Sequence, residues 1–173
     1  MMGIKSASTK DNIILIGFMG SGKSSIGEFL SRKISYDFID SDKKISEITK
    51  LSISEIFHLY GEQYFRILEK DFITQYKNIK KHIIATGGGM PIFNDVRGMG
   101  KIFFLKADFE VLYHRICNTN TRPLLQNKQK TYEIFMQRQE KYHQSSDYII
   151  NANQSIEKIT EDILKILNPS SDT

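Results

Sequence analysis

The 173-residue chain contains one cysteine, three prolines and no tryptophan. A single thiol, Cys117, cannot form an internal disulfide, and a lone cysteine is typical of proteins in a reducing compartment. A chain of this length buries about 70% of the surface that its unfolded form exposes. One domain of this size therefore needs neither a disulfide nor a structural metal, and the sequence excludes a small disulfide-stabilised scaffold.

Long apolar runs are also missing. The longest, from Ile13 to Met19 with one glycine inside it, is far short of the roughly 20 residues that a membrane helix needs. The amino-terminal stretch MMGIKSASTKDN contains no apolar segment of the kind that a secretory signal peptide has. We therefore expect a cytoplasmic protein with no membrane partner.

Positive charge is unevenly distributed along the chain. The net charge is +4, and the segment from Lys77 to Lys130 contains ten Lys or Arg but only three acids, Asp95, Asp108 and Glu110. Such an excess can indicate a polyanionic partner such as nucleic acid. Because no run of five basic residues occurs, a solvated lysine-rich surface is the simpler interpretation, and we expect no nucleic-acid partner.

Five short apolar runs predict five β-strands. They are residues 12–17, 36–40, 82–86, 101–106 and 147–151, and helical patterns separate them. Strands that alternate with helices indicate an α/β fold with a parallel sheet. The runs do not alternate strictly between apolar and polar residues, which is typical of strands covered on both faces.

Apolar spacing and capping residues predict the helices. Ser52 and Glu55 have the spacing of a capping box, and Gly61 would end the helix that they begin. Two more helices have apolar side chains at helical spacing: Ile26, Phe29, Leu30 and Ile34 in the first, and Ile156, Ile159, Ile163 and Leu167 in the second.

The first motif that indicates chemistry lies where the first strand turns into the first helix. Residues 17–24, GFMGSGKS, fit the phosphate-binding pattern G-x-x-x-x-G-K-[ST]. Glycine-rich backbone can wrap around phosphates there, while free N–H groups of the helix N-terminus point at them. Lys23 would contact the β- and γ-phosphates, and Ser24 would hold Mg²⁺. The sequence therefore predicts a nucleoside triphosphate site.

Two carboxylates, Asp40 and Asp42, follow the second strand, and a run of three glycines at 87–89 follows the third. The carboxyl ends of parallel strands face one ligand crevice, so these residues belong beside the phosphates. One carboxylate can serve the Mg²⁺ shell while the other meets an acceptor hydroxyl as a base or orienting group. An alternative for Asp42 is the N-cap of a helix that begins at Lys43.

The sequence lacks the motifs that are typical of two other classes of nucleotide-binding protein. A GTPase should show D-x-x-G after a later strand and an N-K-x-D clamp, but the NKQK at Asn127 lacks the aspartate. Motor ATPases usually carry an apolar strand that ends in Asp-Glu, whereas the third strand here runs into Thr86 and the three glycines.

Taken together, the motifs resemble those of the shikimate kinases from Ile13 to about Leu167. The resemblance depends on five features in order: GFMGSGKS, FIDSD ending at Asp42, IFHLYGEQYFRILE, ATGGG, and RPLL followed by Arg138 and Tyr142. It implies transfer of the γ-phosphoryl group of ATP to the 3-hydroxyl of shikimate, with Mg²⁺, on the route to chorismate and the aromatic amino acids.

The resemblance also implies a three-layer α-β-α P-loop kinase fold with a five-stranded parallel sheet. We expect a single domain over residues 11–168, between flexible tails at 1–10 and 169–173. Within it, a lid would occupy about 116–128 and a substrate-binding helical region about 41–72. We expect a monomer whose partners are ATP and shikimate.

Shikimate carries a carboxylate, so its pocket needs fixed cations. Arg66 has Glu62 four residues before it and Glu69 three residues after it. That spacing places both acids beside the guanidinium and would orient it for a substrate carboxylate. By similarity, Arg138 is a second clamp for the same carboxylate.

Shikimate also carries three hydroxyls, and by similarity Asp42 accepts hydrogen bonds from them. The glycines would bring backbone N–H groups against the ring, because side chains there would block the approach. The resemblance implies that Lys23, Asp42 and Arg122 are catalytic. The residues that bind shikimate would be Asp42, Arg66, Gly87, Gly88, Gly89 and Arg138. The residues that bind ATP would be Gly20, Ser21, Gly22, Lys23, Ser24, Ser25, Arg115 and Arg122. The metal would be held by Ser24 and, through water, by Asp40.

By similarity, Arg122 is the lid arginine that reaches the phosphates on closure, where it would stabilise charge on the transferring oxygens. Arg115 matches the family's adenine-contacting position, although a solvated helix face is an alternative. Residues 151–154 correspond to the family's adenine loop, and no specific contact is assigned to them.

Two rival functions stay open at this point. Gluconate kinases and nucleoside monophosphate kinases share the phosphate-binding loop, but the FRILE and TGGG segments argue against them. An ATP-binding regulatory or nucleic-acid-associated module with a basic face is the second rival, and its binding would fall steeply with ionic strength.

Overall fold

The centre of the fold is one sheet of five parallel strands. The protein is described by a computed structural model over residues 11–118 and 127–169. All five strands predicted from the sequence are present: β1 (Ile13–Ile16), β2 (Asp37–Asp40), β3 (His82–Ala85), β4 (Lys101–Lys106) and β5 (Tyr148–Asn151). Their order in the sheet is β2-β3-β1-β4-β5. The predicted α/β class with a parallel sheet is confirmed.

Helices flank this sheet, as the three-layer prediction requires. In the described residues the helices are α1 (Lys23–Ile34), α2 (Ser41–Thr49), α3 (Ile53–Tyr60), α4 (Glu62–Tyr76), α5 (Met90–Phe93), α6 (Phe109–Cys117), α7 (Lys128–Ser145) and α8 (Ile156–Leu167). Helix α1 packs against α8, and α5 contacts both α4 and α7. No helix among these residues combines the length and the apolar character needed to cross a membrane.

The strands differ in burial more than the sequence predicts. The central strand β1 is buried along its whole length, and β3 and β4 are buried except at their ends. Strands β2 and β5 are half-exposed, so the expectation of strands covered on both faces is wrong for these two. The reason is their position, because each lies at an edge of the sheet and has a neighbouring strand on one side only.

Local capping decides where the helices that carry the predicted site begin. Ser52 and Glu55 form the predicted capping box at the start of α3, and Gly61 follows its last residue. At the start of α2 the cap is Asp40, whose carboxylate accepts a hydrogen bond from the Lys43 N–H at 3.1 Å. The alternative interpretation of Asp42 as the N-cap is therefore wrong, and Asp42 lies within the first turn of α2 instead.

Two separate apolar clusters hold these layers together. The main core joins the sheet to the helices around it, with Ile14, Leu15 and Phe103 fully buried. A second and much smaller cluster, Ile45, Ile56 and Phe65, joins α2, α3 and α4 to one another. The helical segment that the sequence assigns to the substrate therefore has a small core of its own.

Asn12, just before β1, connects three parts of the chain that lie far apart in sequence. Its buried amide group donates to the carbonyls of Ile79 (2.9 Å) and Met99 (3.1 Å) and, at 3.4 Å, to that of Tyr76. Its amide oxygen accepts from the His82 N–H at 3.1 Å. The side chain therefore links the end of α4, the start of β3 and the approach to β4.

We expect Asn12→Ala to lower the free energy of unfolding by about 2–4 kcal/mol, because the truncation leaves several buried backbone groups without a partner. Urea unfolding of the variant measures the loss. The control is Asn78→Ala, which removes an exposed side chain from the turn after α4. Equal stability of the two variants would contradict this role of Asn12.

Candidate functional site

A cavity of about 340 Å³ opens at the carboxyl ends of β1, β2 and β3. It brings together residues that the sequence assigned separately to phosphates, metal and acceptor. Its walls are formed by Met19, Gly20, Gly22, Lys23, Ser24, Ser25, Asp40, Asp42, Thr86, Gly87, Gly88, Arg115 and Ile116. The prediction that the two aspartates and the glycine run meet beside the phosphate-binding loop agrees with this geometry.

The phosphate-binding loop between β1 and α1 depends on glycine at two positions in particular. Gly20 and Gly22 have φ of 80° and 87°, a left-handed conformation that side chains disfavour. A Cβ atom on Gly20 would also lie 2.9 Å from the Ile116 side chain. The loop closes with a hydrogen bond from the buried Ser21 N–H to the Phe18 carbonyl, at 3.2 Å.

The Lys23 ammonium lies against this loop. Its Nζ donates to the carbonyl oxygens of Gly17 at 2.8 Å and Phe18 at 2.9 Å, and to the Ser21 hydroxyl at 3.3 Å. These bonds fix a positive charge at the first turn of α1, where the helix dipole also favours an anion. The arrangement is suited to binding phosphate oxygens.

Ser24 in the first turn of α1 and Asp40 at the end of β2 form a hydrogen-bonded pair. The Ser24 hydroxyl donates to Asp40 Oδ2 at 2.5 Å, while Asp40 Oδ1 caps α2. The pair therefore holds two oxygen ligands at a fixed place beside the cavity. Hydroxyl and carboxylate oxygens are the ligands that Mg²⁺ prefers.

Arg115 of α6 connects the phosphate-binding loop to the segment after β5. Its guanidinium donates to the Gly20 carbonyl at 3.3 Å and to the Ala152 carbonyl at 3.2 Å. The side chain is on the cavity wall, so the alternative of a solvated helix face is wrong. The 151–154 segment is held by its own side chains, since the Asn151 carboxamide oxygen accepts from the Asn153 N–H at 2.9 Å.

Asp42 lies in the first turn of α2, directly beside Gly87. A Cβ atom on Gly87 would come 2.5 Å from Asp42 Oδ1, so glycine is required there to leave room for the carboxylate. The Gly87 N–H donates to the buried Ser41 hydroxyl at 2.9 Å. The assignment of Gly87 to the ligand ring stays a prediction, and in this structure its N–H is paired with Ser41.

Arg66 is held in place from three sides. Its Nη2 bonds to Glu62 at 2.9 Å and its Nη1 to Glu69 at 2.8 Å, as the spacing on α4 predicts. The guanidinium carbon also lies 4.0 Å from the centre of the Phe93 ring. A Cβ atom on Gly89 would come 2.7 Å from Arg66 Nη1, so this glycine too makes room for a functional side chain.

Glu69 is a fully buried carboxyl group. Burial raises its pKa to about 7, although the hydrogen bond and the charge of Arg66 act in the opposite direction. Its Oε2 also accepts a hydrogen bond from the Asn94 carboxamide at 3.1 Å. Arg66 therefore depends on a partner that is itself fixed by the segment after α5.

Arg138 approaches the glycine run from α7. A Cβ atom on Gly88 would lie 3.7 Å from Arg138 Nη1, an ordinary contact distance. One turn later on the same helix, the Tyr142 hydroxyl donates to the Gly88 carbonyl at 2.7 Å. Arg66 and Arg138 thus meet the glycine run at Gly89 and Gly88, next to the cavity rather than on its wall.

Several residues at this site were missed or lie outside the described part of the chain. Phe93 belongs to no motif, and Ser41 lies inside FIDSD but was given no role, because the partners of both residues are far away in the chain. Tyr142 is part of the motif with Arg138 but was also given no role, although its position four residues later puts it on the same face of one helix. Arg122 lies outside the described residues, as does most of the predicted lid.

The basic block from residue 77 to 130 is partly neutralised by local ion pairs. Arg97 bonds to Asp95 at 2.9 Å and Lys128 to Glu110 at 2.8 Å, while Lys80 lies 3.5 Å from Asp11. All three pairs are exposed, so their contribution to stability is small. The local charge balance is therefore less extreme than a count of basic residues indicates.

Comparisons with known proteins agree on one family. The family model described as shikimate kinase matches residues 19–168. A shikimate kinase of Caldanaerobacter subterraneus subsp. tengcongensis is 35% identical over 161 residues, which cover 89% of this chain and 94% of the relative.

Solved structures give the same result. A shikimate kinase from Bacteroides thetaiotaomicron superimposes with a TM-score of 0.84 at 31% identity, covering 91% of this chain and 98% of that one. A shikimate kinase from Acinetobacter baumannii in complex with shikimate gives a TM-score of 0.83 at 31% identity, covering 95% of this chain and 97% of that one.

Glu69 should make stability depend on pH. Its pKa is about 7 in the folded protein against an ordinary value of 4.5, so the folded state retains a proton that the unfolded state has lost between these values. The contribution of Glu69 to the free energy of unfolding therefore falls as pH rises from about 4.5 to about 7. Glu69→Gln removes this group, and the wild type should lose on the order of 1–3 kcal/mol relative to the variant across that window.

Urea unfolding of both proteins at pH 5, 6 and 7 measures this difference, and Glu62→Gln, on the exposed partner of Arg66, is the control. A stability difference between wild type and Glu69→Gln that stays constant with pH would show that the carboxylate remains ionised beside Arg66.

Proposed function

The chain belongs to the shikimate kinase family, and we propose that the cavity at the carboxyl edge of its sheet is the site at which ATP and shikimate meet. The enzyme transfers the γ-phosphoryl group of ATP to the 3-hydroxyl of shikimate, giving ADP and shikimate 3-phosphate on the route to chorismate and the aromatic amino acids. One observation carries the site assignment: Asp42 and the glycine run share a cavity wall with the phosphate-binding loop.

The phosphates of ATP would bind in the loop formed by residues 17–24. Lys23 would exchange its bonds to the Gly17 and Phe18 carbonyls for bonds to β- and γ-phosphate oxygens, which carry the charge that a lysine prefers. Gly20, Gly22, Ser24 and Ser25 line the same wall, and Ser21, which we also assign to ATP, is buried beneath it. Arg115, held between Gly20 and Ala152, would contact the base.

Mg²⁺ fits the pair of oxygen ligands at Ser24 and Asp40. Among the described residues no three His, Cys, Asp or Glu side chains form a metal cluster. A dedicated cluster is not required, because Mg²⁺ at kinase sites takes one or two protein ligands and completes its shell with phosphates and water. When bound, the ion neutralises charge on the phosphate oxygens. Ser24 would be a direct ligand and Asp40 would act through water.

Shikimate would lie between Asp42 and the two arginines. The guanidinium groups of Arg66 and Arg138 approach neighbouring glycines, so both can be directed at one carboxylate of the substrate. Asp42 would then accept hydrogen bonds from ring hydroxyls, including the 3-hydroxyl. The N–H groups of Gly88 and Gly89 are the donors of the glycine run that we assign to shikimate.

Phosphoryl transfer needs positioning and charge stabilisation more than covalent chemistry from the protein. Asp42 would orient the attacking hydroxyl or accept its proton, while Lys23 stabilises charge on the transferring oxygens. Arg122, in the part of the chain outside the described residues, is proposed to add a second positive charge there. We propose that the enzyme acts as a monomer.

Asp42→Asn should lower kcat by about 100-fold or more, because it removes the group that orients or deprotonates the hydroxyl. The KM for ATP should change little, since Asp42 lies on the acceptor side of the cavity. ADP release measured with Mg-ATP and shikimate, gluconate or nucleoside monophosphates tests both this role and the acceptor, and only shikimate should support turnover.

The control is Asp71→Asn, which neutralises an exposed carboxylate on α4. If Asp42→Asn keeps its kcat but unfolds more easily, Asp42 has a structural role instead.

The crowding around Asp42 gives a second prediction. Gly87→Ala would place a Cβ atom 2.5 Å from the Asp42 carboxylate, whereas on Gly88 the nearest atoms would be at ordinary contact distances of 3.6 Å or more. Gly87→Ala should therefore reduce kcat by at least about 10-fold through displacement of Asp42. Steady-state kinetics with shikimate measure the loss, and a Gly87→Ala enzyme with an unchanged kcat would contradict this explanation.

A further inference from the structure

Tyr142 combines complete burial with a short hydrogen bond to the backbone of the glycine run. The side chain is 0% exposed, and its hydroxyl donates to the Gly88 carbonyl at 2.7 Å. Its ring packs against Phe104 of β4 with ring centres 5.1 Å apart. A phenylalanine would satisfy that packing, whereas a buried hydroxyl is costly unless it is paired. Packing alone therefore accounts for the ring of Tyr142 but not for its hydroxyl.

The hydroxyl stays protonated across the physiological pH range. Burial raises the pKa of Tyr142 to about 12, and the nearby Arg138 acts in the opposite direction. Tyr142 is thus a permanent donor to the Gly88 carbonyl.

This bond determines which way the peptide between Gly88 and Gly89 faces. The described chain contains no cis peptide, and in a trans peptide the C=O and the following N–H point in opposite directions. With the Gly88 carbonyl directed at Tyr142, the Gly89 N–H points away from α7. The other end of the turn is fixed as well, because the Gly87 carbonyl accepts from the Met90 N–H at 3.1 Å.

Tyr142 also lies one turn after Arg138 on α7, so its bond ties the helix that carries this arginine to the glycine run. Side chains four residues apart lie on the same face of a helix, and Arg138 Nη1 lies 3.7 Å from the Cβ position of Gly88. One hydrogen bond therefore sets both the direction of a backbone donor and the distance of a guanidinium from the same turn.

We propose that Tyr142 is a positioning residue for the acceptor substrate, which holds the Gly89 N–H and the Arg138 guanidinium in the orientation that binds shikimate. The inference rests on the proposed shikimate site. It assigns to Tyr142 no contact with ATP or with the reacting atoms.

The test is Tyr142→Phe, which removes one oxygen and keeps the ring. We expect the KM for shikimate to rise about 5- to 30-fold, as for the loss of one buried hydrogen bond, while the KM for ATP stays within about twofold. Tyr76→Phe is the matched control, because Tyr76 is another largely buried tyrosine that stacks on Phe72. Tyr76 ends α4, ten residues after Arg66, so this variant should keep both KM values.

The outcomes separate this inference from the site on which it rests. A Tyr142→Phe enzyme with a lower melting temperature but an unchanged KM for shikimate would show a structural role and overturn the proposal. If KM for both substrates rises equally, Tyr142 supports the whole cavity and the proposal is again wrong. If the wild type turns over shikimate but Asp42→Asn leaves kcat unchanged, the proposed site itself fails, and the proposal fails with it.

Should Tyr142→Phe not fold, amide NMR spectra of the wild type give a second test. Adding shikimate should shift the Gly89 amide resonance, because its N–H is the donor that Tyr142 orients. A Gly89 resonance that does not respond at saturating shikimate would overturn the proposal.

Discussion

The carboxyl ends of β1, β2 and β3 lie at one edge of the sheet because the three strands are parallel and β1 is placed next to β3. The phosphate-binding loop, the Asp40–Asp42 segment and the glycine run each begin where one of these strands ends. The Thr86 N–H bonds to the Leu15 carbonyl at 3.1 Å, so the pairing of β1 with β3 continues up to the cavity wall. Without this register, groups separated by about 70 residues in the chain would not share a site.

The side of the cavity that we propose for the acceptor is built from groups that hold one another in place. Glu69 and Phe93 fix Arg66, Asn94 fixes Glu69, and Tyr142 fixes the glycine run. Such preorganisation lowers the entropy that substrate binding has to remove. The groups on the phosphate side are less firmly fixed, because the Lys23 ammonium is bound to carbonyl oxygens that phosphate can replace.

Local features of the chain were predictable from the sequence, and contacts between distant segments were not. The five strands, the phosphate-binding loop, the capping box at Ser52 and the Arg66 ion pairs all follow from spacing within a few residues. The sequence left Asp42 open as an alternative N-cap, whereas Asp40 caps α2, because two aspartates one residue apart offer the same local signal. The sequence explained the glycine run by the close approach of a ligand ring. In the structure Gly87 and Gly89 also leave room for Asp42 and Arg66, which come from other parts of the chain. Ser41 and Asn12 were missed because hydrogen bonds across 46 or 70 residues leave no periodic pattern in a sequence.

The close approach of Gly87 to Asp42 has a consequence for how this enzyme can vary. Substitutions at residues that share a contact do not add in free energy. Position 87 accepts a methyl group only if the side chain at position 42 is shorter or turns away, and position 42 keeps a carboxylate only if position 87 has no Cβ atom. Residues 42 and 87 therefore have to vary together, and a redesign of acceptor specificity has to change both in the same step.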